Sequence, residues 1–173
     1  MLTVLFYDLN FVVIIVSMEY FCFMPAPFFY EQNIVTADSQ FILSEETSKH
    51  CVQVLRMKTG EELNITDGKG NLFSATIIST DKKSCVVKIN SATFSKQIQR
   101  KISIAVSLIK NAGRFEWFLE KATEMGVCEI IPLVCHRTER QHFRFDRMNN
   151  ILIAAMLQSQ QNMVACITEP NCI

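Results

Sequence analysis

Glycine and proline are scarce in this chain, with five and four among 173 residues. That excludes a collagen-like or low-complexity polypeptide. The glycines that exist never form G-x-G-x-x-G or G-x-x-x-x-G-K-[ST], so no nucleotide-binding glycine loop is legible. G-x-S-x-G and H-E-x-x-H are missing too, which removes the serine-hydrolase elbow and the zinc-protease helix. Seven cysteines are present, but none forms a C-x-x-C pair. A zinc site is therefore not expected, and the odd count suits a reducing compartment with free thiols. Cys85, beside Val86 and Val87, reads as a small buried hydrophobe.

Residues 1–23 hold Asp8 and Glu19 and no lysine or arginine. A secretory leader needs a basic start, so none is read here. Residues 9–23 are the most apolar stretch, but Asn10, Ser17 and Glu19 interrupt it. It falls short of the roughly 20 mostly apolar residues of a membrane helix. We read it as a non-native apolar extension ahead of Met24, and a membrane role as disfavoured. A chain starting at Met24 is expected to fold as stably as the whole.

The hydrophobic share is 49%, which supports a packed core. Formal charge is zero overall, 17 basic against 17 acidic residues. The charge is uneven: Lys82 to Arg147 carries 13 Lys/Arg against 6 Asp/Glu, a balance of +7. A basic segment in a neutral chain suits a nucleic-acid-facing surface or a solvated charged face.

Residues 24–94 read as a β-rich, barrel-like module. Strands are expected at Phe28–Tyr30, at residues 40–43 and at Glu62–Thr66, where alternation has period two. Further strands are expected at residues 72–78 and 85–89. Asp67-Gly68-Lys69-Gly70 is a hairpin turn. Ser44 caps a helix running to about Leu55, with Val54 and Leu55 turned inward. Residues 95–101 are polar and basic and serve as a linker.

From 102 to 173 the pattern changes to α/β. Ile102–Leu108 is a nearly continuous apolar strand, as in parallel sheets covered on both faces. Residues 113–126 place Phe115, Phe118, Leu119, Ala122 and Met125 at helical spacing, with Gly126 as the C′ residue. Residues 128–134 form the next strand, which completes a right-handed βαβ unit. Asp146 is expected to cap a helix reaching Gln158, with Met148, Ile151, Leu152, Ala155 and Met156 inward. One such unit leaves a parallel sheet unfinished, so the second domain reads as truncated.

Chemistry concentrates in residues 136–147, after the second parallel strand. Ligands of open α/β sheets bind outside the carboxyl ends of the strands. Arg137, Arg140, Arg144 and Arg147 stand there, and guanidinium groups hold phosphates and stack on bases. The competing reading pairs them locally with Glu139 and Asp146. His50, His136 and His142 are scattered, and each reads more simply as a polar surface residue than as a catalyst.

Three blocks resemble the ribosomal RNA small subunit methyltransferase E family. The first runs from Lys49-His50-Cys51 through Val54-Leu55-Arg56 to Gly60-Glu61, with the Asp67–Gly70 hairpin. The second is Lys110-Asn111-Ala112-Gly113-Arg114-Phe115-Glu116, continuing into Glu120-Lys121-Ala122-Thr123-Glu124-Met125-Gly126. The third joins Arg137-Thr138-Glu139-Arg140 to Ala154-Ala155-Met156-Leu157-Gln158-Ser159. The resemblance implies an α+β protein of two domains: a PUA-like β-barrel over 24–94, then the first part of a SPOUT trefoil-knot methyltransferase domain. It implies S-adenosylmethionine-dependent methylation of N3 of one uridine in 16S rRNA, a homodimer when full length, and a cytoplasmic location. It makes Arg56, Lys110, Arg114, Arg137, Arg140 and Gln158 the RNA-binding candidates and assigns no catalytic residue. Departures are Cys51 for the family's second histidine, Gln161 for an arginine and Ala165 for a proline. The family's glycine-rich cofactor loop has no counterpart here. No residue of this chain is therefore expected to hold the cofactor, and the chain reads as an inactive fragment. The alternative is a non-catalytic rRNA-binding module.

Overall fold

The computed structural model describes residues 26–34, 39–81, 83–95, 101–138 and 143–172. The apolar extension before Met24, most of the linker, and Glu139 to His142 lie outside them, so the expectations placed there are not addressed. No helix among the described residues is long and apolar enough to cross a membrane.

The elements follow in chain order. They are β1 (Phe28–Tyr30), β2 (Gln40–Ile42), α1 (Glu45–Lys49), a π-helical turn (His50–Val54), β3 (Glu62–Thr66), β4 (Asn71–Ser79) and β5 (Val86–Phe94). After them come β6 (Ser103–Ser107), α2 (Ala112–Glu124), β7 (Glu129–Val134), α3 (Phe145–Gln158), β8 (Cys166–Ile167) and β9 (Asn171–Cys172).

The first sheet has the order β1-β3-β4-β5-β2, with β1 parallel to β3 and the other neighbours antiparallel. Register shifts between β4 and β5, at Ser74/Ala75 and Ile77/Ser79, are bulges that bend the long hairpin toward a barrel. Its core holds Leu63, Ile65, Phe73, Ile77, Val87 and the thiols of Cys51 and Cys85. Burial, more than the neighbouring Cys85 and Glu31, pushes the Cys51 thiol up to about 12, so it stays protonated.

The expected helix to Leu55 is corrected. Regular α1 stops at Lys49, and a π-helical turn carries the chain to Val54, with Leu55 N–H donating to His50 O at 3.0 Å. The extra residue per turn rotates the following side chains. Cys51 and Met57 go inward, while Val54 and Leu55 are exposed. Ser44 does cap α1, accepting from Thr47 N–H at 3.3 Å.

The second sheet is entirely parallel. Central β7 pairs with β6 on one side, with β8 at Glu129–Ile130, and with β9 at Leu133–Val134. Helices α2 and α3 cover one face over a core of Phe115, Leu119, Ile130, Met148 and Leu152. Burial on both faces was expected for β6, but Ser103 and Ala105 are exposed. The apolar run therefore meets the helical core on one side, through Ile104, Val106 and Leu108. Met125, expected inward, is 82% exposed because α2 has ended by then, with Gly126 at φ +80° as its C′ residue. Asp146 does not cap α3. Arg144 holds that position without a side-chain bond, and Asp146 lies in the first turn.

The sheets meet at the Asp67–Gly70 turn. Gly70 N–H donates to Asn162 O at 2.8 Å and Val164 N–H to Gly68 O at 3.0 Å. Thr66 Oγ1 also donates to Asn162 O, at 3.2 Å.

Candidate RNA interface

Because β6 and β7 are parallel neighbours, their carboxyl ends open on one edge of the second sheet. Two hydroxyls lock that edge. Ser107 Oγ and Thr138 Oγ1 lie 2.9 Å apart, and Cys135 N–H donates to Thr138 Oγ1 at 2.9 Å. The loop after β6 leads through Lys110 to Asn111, whose side chain caps α2 by accepting from Arg114 N–H at 3.2 Å. Lys110 and Arg114 thus share this edge with Arg137, and all three are exposed. Arg144 and Arg147 enter α3 from the same end.

Not all of this positive charge faces solvent unopposed. Arg147 grips Glu116 in a two-point pair, Nε to Oε1 at 2.7 Å and Nη2 to Oε2 at 2.9 Å. That pair holds Glu116 below the usual carboxylate range, through the hydrogen bond first and the coulombic pull of Arg147 and Arg144 after it. A groove of about 520 Å³ between α2 and α3 sets Arg144 and Arg147 against Glu116 and Glu120. Arg147 is thus neutralised, but by Glu116 of α2, 31 residues away, and not by the neighbouring Asp146 of the competing local reading.

The remaining candidates lie apart. Arg140 falls outside the described residues. Arg56 belongs to the first sheet's module, just past the π-helical turn, with a positive φ of 55° that non-glycine residues adopt only under constraint. Gln158 ends α3, at the opposite end of the helix from Arg144. Nearby Gln161, standing where the resemblance expects arginine, donates Nε2–H to Glu124 O at 2.9 Å and closes the end of α2.

One constellation escaped sequence reasoning altogether. Between β1, α1 and α3 lies a cleft of about 560 Å³, lined among others by Tyr30, Glu31, His50, Asn150, Ile153 and Leu157. Glu31 is 7% exposed, and its Oε1 accepts from Ser44 N–H at 2.9 Å. His50 meets the ring of Phe29 edge-on, centroids 5.7 Å apart. Burial first, then Asp67 and Glu31, raises the Tyr30 phenol, so it remains a neutral O–H donor. An acidic residue after a short strand gives no sequence signal of such burial.

Comparison with known proteins now bears on this arrangement. Residues 43–90 match the RNA methyltransferase PUA domain and residues 96–173 the RNA methyltransferase domain. The chain belongs to the ribosomal RNA small subunit methyltransferase E family. The family protein of that name from Bacillus subtilis is 30% identical over 142 residues, 78% of this chain and 54% of the relative. Its Buchnera aphidicola counterpart is 28% identical over 158 residues, 83% of this chain and 59% of the relative. Among solved structures, a Porphyromonas gingivalis protein described as an rRNA-methyltransferase superposes with TM-score 0.76 at 35% identity. That match covers 84% of this chain and 60% of the other. A Legionella pneumophila protein described as a methyltransferase, solved with the cofactor SAM bound, gives 0.74 at 27%, covering 86% and 64%. The chain thus spans between about half and two-thirds of the length of these relatives. They support the two-part architecture: a PUA-like sheet, then a parallel-sheet methyltransferase domain.

Proposed function

We propose that this family member serves S-adenosylmethionine-dependent methylation of 16S rRNA at N3 of a uridine, and that its own described residues supply RNA binding. The observation that carries the reading is the shared edge of Lys110, Arg114 and Arg137 beyond the carboxyl ends of β6 and β7, where open α/β sheets take their ligands. The relatives' names support rRNA as the substrate, and the SAM bound to the Legionella protein supports the methyl donor. In this chemistry the donor's sulfonium supplies the methyl group. Among the described residues a single glycine, Gly113 in the first turn of α2, stands at the carboxyl edge, and one glycine makes no cradle; Gly60, Gly68 and Gly70 lie in the first module and Gly126 beyond the far end of α2. Cofactor contacts are therefore not assigned to this chain's residues. A homodimer in the cytoplasm belongs to the same reading.

Arginine and lysine on that edge are suited to phosphates, which gives affinity without base selectivity. The test is a titration of a small-subunit rRNA fragment at several salt concentrations. Arg114→Ala with Arg137→Ala should weaken binding by about 1–3 kcal/mol and flatten the salt slope by up to about two units. Curves identical to the parent's would overturn the assignment of this edge to RNA.

A further inference from the structure

We infer that the cleft between β1 and α3 is a pocket for one unstacked, amino-bearing nucleobase of the RNA: cytosine, adenine or guanine in preference to uracil. The inference rests on the RNA reading above and concerns a different surface from the basic edge.

Four observations carry it. The cleft, at about 560 Å³, is within the range of small-molecule sites and has room for a base. One wall is apolar, formed by Ile153, Ala154 and Leu157 of α3. The lining also includes Tyr30 and His50, whose rings are of the kind on which single-stranded bases stack. Among the described residues the lining contains Glu31 and Glu46 and neither lysine nor arginine. That charge repels a phosphate and favours a group that donates hydrogen bonds.

Glu31 decides which base. It lines the cleft while nearly buried, and Ser44 N–H fixes Oε1 at 2.9 Å, so the carboxylate is oriented before any ligand arrives. A carboxylate accepts from the exocyclic amine of cytosine. Adenine and guanine carry amines of the same donor character. Uracil has no exocyclic amine: its one base-edge donor is N3–H, flanked by two carbonyl oxygens that would face the carboxylate acceptor to acceptor, so it is held less well. Asn150, from α3, can donate and accept at another edge of the base. The pocket's walls come from both halves of the molecule, so a base seated there would register the RNA against both.

The test uses nucleosides, which carry no phosphate, with the full 173-residue chain. Cytidine, adenosine, guanosine and uridine are titrated while NMR follows the His50 ring and the Ile153 methyls. Saturable shifts are expected with the three amino-bearing nucleosides, cytidine binding about tenfold tighter than uridine. Glu31→Gln keeps an oxygen for Ser44 N–H but weakens the acceptor, and should bring cytidine and uridine within about twofold of each other. Ala154→Phe removes no hydrogen bond and fills the cleft, so it should abolish the shifts for all four. Equal response to uridine and cytidine, or an unchanged preference in folded Glu31→Gln, overturns the inference. So does saturation by N-acetyl-arginine amide without response to any nucleoside, which would mark a basic-peptide site. Arg114→Ala with Arg137→Ala should leave these titrations unchanged, so failure of the basic edge and failure of the cleft are separately visible.

Discussion

Arg147 shows how one residue's charge is spent. Counting it toward an RNA surface is reasonable from sequence, yet its guanidinium is engaged by Glu116 across two helices. The pair sits at the surface, where such contacts contribute little at neutral pH and are screened by salt. Its signature is pH dependence. Because the folded carboxyl lies below its unfolded value, the stabilisation is present above the unfolded value, about 4.5. It disappears as pH falls through the folded value. Glu116→Gln should therefore melt lower than the parent at neutral pH and converge with it in acid, as thermal midpoints from pH 7 down to about 2.5 would reveal. A constant offset across that range would show that the pair does not titrate as described.

At the scale of elements, α2 is closed at both ends by side chains. Asn111 accepts at its start and Gln161 donates at its finish, the second across 37 residues of sequence. The first is the kind of cap a sequence displays, an Asn directly before an apolar helical period. The second is invisible there, since the partner arrives only when the chain has returned through α3. Gln161→Ala should cost about 1 kcal/mol, the net worth of one partly buried hydrogen bond. Urea midpoints measure the loss, and faster amide exchange at Met125 and Gly126 should accompany it. An unchanged midpoint would mean that water replaces the amide without cost. The π-helical turn belongs to this scale too. Its apolar letters predicted a longer regular helix, but burying both Cys51 and Met57 requires the wider turn.

For the whole molecule, the deciding contact is the narrow junction at the Asp67–Gly70 turn. Gly70 has φ +106°, and a Cβ there would meet Met163 Cε at 2.8 Å and the Ser95 carbonyl oxygen at 2.9 Å. The Met163 side chain could move, but the backbone carbonyl could not. Gly70→Ala should thus lose about 2–4 kcal/mol, from positive-φ strain and overpacking together. Because the turn holds Asn162 and Val164 of the other half, we expect the variant's two halves to unfold in separate steps where the parent unfolds in one. Differential scanning calorimetry decides this, and a single sharp transition in Gly70→Ala would refute the coupling.

The sequence by itself determined neither the π-helical turn nor the short strands β8 and β9, but it did determine most of the elements from β1 to α3, the change from a β-rich module to a parallel α/β pattern near residue 100, the hairpin at Gly68 and Gly70, and the family. Those features depend on local periodicity, turn chemistry and short motifs, which are written into neighbouring residues. The sequence also placed Arg137 after the end of a strand, although only parallel pairing of β6 and β7 brings that end to one edge with Lys110 and Arg114. Tertiary structure alone decided that Arg147 pairs with Glu116, that Gln161 closes α2, and that one face of β6 stays open. It alone formed the cleft, because Glu31 and Asn150 stand 119 positions apart in the chain. Contacts at that separation depend on how two sheets and a helix pack, and no local pattern encodes them.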